Sequence, residues 1–403
     1  MKRKGMKRVK FRRKAQQSRR VAAAVRRSRS RLQRPRHKKR RLRVTQTAVK
    51  AKQNKQMKRG SRLHEPSVSA SFIQSSEEAG MRDGLLARDA QSQLLDLHLR
   101  LKALKQSFRA YYANTCSHLE SYEAIMALGT AYQNGYSRAA GPDLALPSVV
   151  LIPSSKRHAV IISAMNEQER IGAVLHELER LVPDELIIIV NGSTDMTLQL
   201  AREASSAATI VHYPDAIGHD VGRSIGAKLA RADVMLFTDS DFQVPAEDLG
   251  AFLWAVESGV DVALNDISPF MGTFDSRDAI SHCKLWLNCT LGREDLDVNS
   301  LTAVPHALSR RTVDTIGVDA LSVPPRAHAL AVLHGLNVQQ VHVVDVITHN
   351  RIRATNVGTH NPVAQLILGD HVEAIQEIWN WHGDYLHEPQ RNRDQIALRR
   401  NGT

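Results

Sequence analysis

The chain is 403 residues long, enough for one large or two ordinary domains with a sizeable buried core. Its formal charge of +14 averages two unlike parts: residues 1–63 hold 28 of the 55 Lys and Arg and no Asp or Glu, which leaves 27 basic against all 41 acidic residues, a net charge of −14, for 64–403. There is no run of 18 apolar residues and no apolar h-region in the first thirty, and the three cysteines form no C-x-x-C pair, so neither a membrane span nor a secretory signal is predicted and a reduced, cytoplasmic protein is expected.

The first 63 residues are mostly Lys, Arg, Gln and Ser, a self-repelling composition that cannot offset the entropy of folding and predicts a disordered basic tail. Such a tail attracts polyanions, nucleic acid or an anionic membrane surface, through counterion release; with Phe11 as its one aromatic, base stacking is not expected. Further on, Leu94, Leu97, Leu101, Leu104, Phe108 and Tyr111 recur three or four residues apart, and Leu119, Tyr122, Ile125 and Met126 extend the same apolar face. This predicts one long or two hairpinned helices ending around Gly129 to Gly135, which dock on the body or self-associate through residues 90–126. Gly141-Pro142 and Pro147 mark a linker, so 64–147 reads as a helical segment with its connection.

From Arg157 the pattern alternates. HAVIIS (158–163), ELIIIV (185–190), ATIVHY (208–213) and DVMLFT (233–238) are short apolar runs with helical segments between them, which predicts an α/β domain built on a doubly wound, mostly parallel sheet. Polar residues follow three of these runs: Asn166-Glu167, Asn191 to Asp195, and Asp239-Ser240-Asp241. Ligands of open parallel sheets collect at the carboxyl ends of the strands, so one edge is expected to gather the chemistry. Two carboxylates flanking a serine suit Mg²⁺ or Mn²⁺, hard cations held by one or two carboxylates and the phosphates of a substrate; the competing role for the triplet is a helix N-cap.

With these residues in place, 158–353 resembles a family 2 glycosyltransferase of the GT-A fold. IISAMNEQERI is similar to the family's first strand, which ends in Pro-x-x-Asn-Glu, with Ser163 in place of the proline. IIIVNGSTDMT resembles its Asp-Asp/Asn-Gly-Ser-x-Asp-x-Thr signature through Asn191, Gly192, Ser193, Asp195 and Thr197, with Val190 where an Asp is usual. GHDVGRSIGAKLA resembles its glycine-punctuated helix through Gly218, Arg223 and Gly226, and Asp239-Ser240-Asp241 falls at the metal motif. The resemblance implies donor contacts from Asn166, Glu167, Asn191, Asp195, Arg223 and Asp239, a divalent metal on Asp239 and Asp241 with His349 as a further ligand, and acceptor contacts from His306 and Arg310. The acidic pair that supplies the family's catalytic base is missing: the corresponding stretch, VPPRAHALAVLHGL, has Pro325 and Arg326 near those positions. Asp266, Asp295 or Glu294 takes the role, or the enzyme retains configuration and needs no such base.

The expected organisation is a tail (1–63), a helical segment with linker (64–147), a GT-A domain (148–360) and a C-terminal helical extension (361–403). The expected function is metal-dependent transfer of a sugar from a nucleotide-diphosphate donor, a UDP-sugar, to an acceptor. A nucleotidyltransferase would carry a Gly-rich loop after the first strand, where SAMNEQ has no glycine, and the missing G-x-G-x-x-G disfavours a dinucleotide fold. The reading from a different class is a non-catalytic scaffold that holds a polyanion on its tail.

Overall fold

The computed structural model describes residues 68–89, 96–348 and 362–382; the basic tail, His349 and the last 21 residues lie outside them. Among the described residues three helices precede the sheet: α1 (Ala70–Asp89), α2 (Leu97–Thr115) and α3 (Tyr122–Ala140). The apolar stripe falls on two successive helices, α2 and α3, capped by Asp96 and Ser121, whose side chains accept from the backbone N–H groups of Leu99 and Ala124. Helix α1 lies ahead of the apolar stripe, inside the expected helical segment 64–147, and α3 runs past Gly129 and Gly135 instead of stopping there. These glycines are packing positions, not breakers. A Cβ on Gly135 would stand 2.0 Å from the Glu77 carbonyl oxygen, and one on Gly80 1.9 Å from that of Tyr132, so α1 and α3 cross with their backbones in contact.

Phe108, Ile125, Leu128 and Tyr132 form the buried centre of this helical layer, which also takes in Leu151 and Val182. Polar ties join it to the rest of the molecule: the Tyr122 hydroxyl donates to the Glu247 carbonyl, the Trp254 indole N–H to the Glu120 carbonyl at 2.8 Å, and the Lys105 ammonium to the Val182 carbonyl at 3.0 Å. Docking on the body is thus the observed fate of the apolar stripe.

The strands are β1 (His158–Ala164), β2 (Glu185–Asn191), β3 (Thr209–Tyr213), β4 (Val234–Asp239), β5 (Val262–Asn265), β6 (His306–Ser309) and β7 (Val338–His342). They form one sheet in the order β3-β2-β1-β4-β6-β5-β7. All pairings are parallel except those of β6, which runs antiparallel to β4 and β5. This is the doubly wound, mostly parallel arrangement expected of a GT-A fold. Within 337–348 the chain forms the single strand β7.

Between the strands lie α4 (Ile171–Glu179), α5 (Thr197–Ala204), α6 (Val221–Leu229), α7 (Ala246–Glu257), α8 (Ala279–Thr290), α9 (Arg310–Ile316) and α10 (Pro324–Leu333), with α11 (Pro362–His382) after the sheet. Because helices cover both faces, alternate residues of a strand enter different cores. Val160 and Ile162 of β1 pack with Val174 and Leu178 of α4 and Leu249 and Phe252 of α7, while Ala159 and Ile161 face Ala227 of α6 and Leu308 of β6. Fully burying one such aliphatic side chain contributes about 1.5–3 kcal/mol, which explains why the middles of these runs are apolar.

Helix α6 lies unusually close to β1. A Cβ on Gly226 would meet Ile161 Cγ2 at 2.3 Å, and one on Gly222 would meet Ser163 Oγ at 2.4 Å. The start of α6 is thereby drawn in beside the carboxyl ends of β1 and β4.

Candidate functional site

A cleft of about 290 Å³ opens at this edge, lined by Ser163, Met165, Glu167, Asn191, Gly218, His219, Asp220, Asp239 and Asp241, among others. The Asn191 amide shapes its far wall by clamping the loop before α6: Nδ2 donates to the Gly218 carbonyl at 2.7 Å and Oδ1 accepts from Ile217 N–H at 2.9 Å. Two polar ties hold the acidic triplet. Ser240, buried, donates to the Ser163 carbonyl at 2.9 Å, and the Arg170 guanidinium donates to the Asp241 carbonyl. The flanking carboxylates are left at the cleft.

Burial pushes the Asp239 carboxyl above the usual carboxylate range; Arg223 opposes this, with its Nη2 3.9 Å from Asp239 Oδ2, while Asp241 and Asp220 raise it further. Among the described residues no hydrogen bond or ion pair reaches the Asp241 carboxylate. Two carboxylates at one strand end with so little compensation suit a cation. No group of three His, Cys, Asp or Glu among the described residues is disposed to hold a metal by itself, so the remaining oxygens would come from a substrate and water. His349, the further ligand expected, lies outside the described residues.

The other expected donor contacts divide into two sets. Glu167, buried, and Asn191 line the cleft. Asn166 and Asp195 instead bind the loops together. Asn166, with a φ of 56°, accepts from Thr194 N–H at 2.8 Å, and Asp195 accepts from the Gln168 and Thr197 N–H groups and, at 2.6 Å, the Thr197 hydroxyl. Burial would raise the Asp195 carboxyl, but the Thr197 and Gln168 hydrogen bonds outweigh it and hold the group below its ordinary value. Arg223 is buried beneath the cleft, 3.3 Å from Asp220, with Nη1 donating to the Leu301 carbonyl at 3.2 Å, so it braces the carboxylates and does not line the opening.

Three expectations on the acceptor side are corrected. Arg310 donates to the Ala230 and Ala232 carbonyls ahead of β4, at the opposite edge of the sheet, because antiparallel β6 carries its last residues away from the cleft. Asp295 is bound by Arg293, which also donates to the Val338 carbonyl at the start of parallel β7, again the far edge. His306 is buried, stacked on Phe237 at 5.2 Å with Nδ1–H donating to the Ala303 carbonyl, and its pKa is pushed down to about 3 by burial and by Arg223. Asp266 does stand at the cleft edge, at the end of β5, where its carboxylate accepts from Ser268 N–H and the Asn299 amide, both at 3.0 Å.

The family model described as glycosyl transferase family 2 matches residues 159–311. This segment belongs to glycosyl transferase family 2. A dolichyl-phosphate hexose transferase of Haloferax volcanii is 32% identical over 109 residues, which cover 27% of this chain and 46% of that protein. A 4,4'-diaponeurosporenoate glycosyltransferase of Staphylococcus aureus is 38% identical over 92 residues, covering 21% of this chain and 24% of the other. The chain thus spans less than half the length of these curated relatives. Among solved structures, glucosyl-3-phosphoglycerate synthase from Mycobacterium tuberculosis, in complex with Mn²⁺, UDP and glucosyl-3-phosphoglycerate, superimposes with a TM-score of 0.41 and 17% identity over 57% of this chain and 81% of that one.

The family 2 domain accounts for the cleft floor, but not for everything beside it. Helix α11 lies beyond its last residue and places Asp370 near Asp220 and His219; burial lifts this carboxyl to about 6, Asp220 and Glu373 add to the shift, and His219 opposes it. Where the family's acidic pair is absent, Arg326 of α10 donates to Glu377 of α11 at 2.7 Å. Sequence reading missed His219, Asp220 and Asp370. The first two stand inside the quoted GHDVGR motif, where a His-Asp pair ahead of a glycine-rich helix was the available signal; nothing in the sequence ties Asp370 to them. No helix among the described residues is long and apolar enough to cross a membrane.

Proposed function

We propose that the chain is a glycosyltransferase that binds a nucleotide-diphosphate sugar, a UDP-sugar, in this cleft and transfers the sugar to an acceptor. The observation that carries the reading is the pair Asp239 and Asp241 at the carboxyl end of β4, facing a cleft inside a family 2 domain. Glu167 and Asn191 would meet the nucleoside portion over β1 and β2, and the two carboxylates would hold Mg²⁺ or Mn²⁺ against the diphosphate. When bound, the cation supplies charge neutralisation for the departing nucleoside diphosphate.

The chain's own residues supply the rest. Ser240 and Arg170 fix the triplet's backbone, so the carboxylates are placed before substrate arrives and no reorganisation is needed as charge develops. Arg223 opposes the burial that favours a proton on Asp239, and the Asn191 clamp holds the wall against which the nucleotide packs. Cytoplasmic residence fits the three cysteines, all free. Incubating the full chain with a panel of nucleotide sugars, with and without chelator, tests the proposal. The expected outcome is metal-dependent release of UDP from one donor; chelator-insensitive release, or none from any donor, would overturn it.

A further inference from the structure

Asp220 lines the cleft together with Asp239, yet it does not serve in the role its position suggests. It immediately precedes α6, where an Asp side chain ordinarily accepts from a backbone N–H of the first turn. Its carboxylate makes no such bond, and the Arg223 N–H goes to the Asp220 carbonyl at 3.0 Å. The carboxylate turns instead to a side chain one turn on: Oδ1 stands 3.3 Å from Nη2 of Arg223. That same nitrogen lies 3.9 Å from Oδ2 of Asp239, and among the described residues no other cationic group is within ion-pair distance of either carboxylate.

Two carboxylates thus share one guanidinium nitrogen, unequally. Arg223 is 7% exposed and Asp220 8%, so each needs the other: a buried ion that loses its partner is costly. The backbone of α6 is set close against β1 at Gly222, so the Arg223 side chain, not the helix, decides between the two carboxylates. At 3.9 Å the guanidinium favours charge on Asp239 without occupying its oxygen. A charge-assisted hydrogen bond forms at about 2.7–2.9 Å, so a movement of about 1 Å would turn Asp239 Oδ2 from an open oxygen into an engaged one. Asp220 draws the guanidinium the other way. Among the described residues no three carboxylates are disposed to hold a cation, so Asp220 does not act by completing a cage with Asp239 and Asp241.

We propose that Asp220 is a positioning residue for the cation: it holds Arg223 off Asp239 and so keeps the Asp239 carboxylate open to a divalent metal. The inference rests on Asp239 and Asp241 being the cation's ligands in the proposed reaction. Without the Asp220 charge, the buried guanidinium has Asp239 as its one carboxylate and closes on it. The oxygen that would meet the metal is then taken, and a positive charge stands where the metal should approach.

The test reads metal binding apart from turnover. Mn²⁺ is titrated at fixed ionic strength into the full-length protein, with and without UDP, and the free ion is followed by its electron paramagnetic resonance signal. Asp241→Asn identifies which binding belongs to the cleft. Asp220→Asn should weaken that site about tenfold, and Asp220→Glu, which keeps the charge, should recover most of the loss. Arg223→Met should bind Mn²⁺ at least as tightly as the parent, and adding Asp220→Asn to it should change nothing further. If Arg223→Met does not melt cooperatively, Arg223→Gln, which keeps a donor but no charge, takes its place in the cycle. In turnover, Asp220→Asn should raise the Mn²⁺ concentration giving half the maximal rate while kcat at saturating Mn²⁺ stays close to the parent's. Equal Mn²⁺ affinity in parent and Asp220→Asn would overturn the inference. So would an Asp220→Asn loss of the same size with and without Arg223, which would make Asp220 a direct contact of the cation. The expected pattern in a protein that turns over no nucleotide sugar would leave Asp220 its role and remove the transfer reaction.

Discussion

The hydroxyl of Ser240 donates to the Ser163 carbonyl at 2.9 Å, joining the carboxyl ends of β4 and β1 through a side chain. In an extended segment alternate residues point to opposite sides, so pinning the middle residue of the triplet inward leaves Asp239 and Asp241 together at the cleft. Asp241→Asn preserves size and most hydrogen bonding while removing a charge. Turnover of the donor should fall about 10²- to 10³-fold, the usual loss for one preorganised electrostatic contact, with an unchanged melting temperature. If the residue served only as a helix cap, the Asn variant would stay fully active, because Asn caps as well as Asp.

The close approach of α6 to β1 gives a second test. Gly226→Ala places a methyl 2.3 Å from Ile161 Cγ2, and helix or strand must yield. Overpacking of this kind costs about 1–3 kcal/mol, to be read from urea denaturation. Since α6 carries Arg223 and begins directly after Asp220, turnover should drop with stability, whereas Gly172→Ala, on α4 with no neighbour within 4 Å and no positive φ, should leave turnover unchanged.

The buried histidines set an acid limit. Burial lowers the pKa of His306 and of His328 to about 3, with Arg223 and Arg293 respectively adding to the effect. An unfolded histidine titrates near 6.5. Between those values the unfolded chain binds protons that the native chain does not, so stability is fully present above about pH 6.5 and declines as the pH falls toward 3. The slope is about 1.4 kcal/mol per pH unit for each histidine in that window. His328→Phe should flatten the decline between pH 4 and 6 in a series of denaturation curves; an unchanged slope would mean that His328 is protonated in the native state.

Removing residues 1–63 should leave turnover intact, because the helical layer and linker separate the tail's 28 positive charges from β1 in the sequence. Binding of the full chain to nucleic acid or anionic vesicles should weaken steeply with salt and vanish on deletion. Loss of donor turnover in the truncated protein would make the tail part of the site.

Much of the fold was legible because the strands are apolar on both faces and end in polar residues. ELIIIV and DVMLFT admit few other readings, and the residues following them lie at one edge. What could not be read was direction. Arg310 follows β6 as closely as Asp239 closes β4, yet β6 runs backwards and delivers Arg310 to the other side. Glycine was ambiguous for a different reason: in α3 the residue that ordinarily ends a helix is what lets another helix lie against it. Long-range pairing was invisible. The approach of Asp370 to Asp220 spans 150 residues of chain, and no local pattern encodes it.

The ties between the helical layer and α7 bear on how the protein can be cut. Val149, Leu151 and Val182 belong to the core of that layer, although Val182 lies inside the segment matched by the family and the other two shortly before it. A fragment beginning at β1 would expose this apolar seam to water and leave the Glu247 carbonyl without its Tyr122 donor. The boundary drawn by homology is therefore not a folding boundary: a soluble fragment has to begin ahead of α1, and one begun at Arg157 should be recovered from the insoluble fraction.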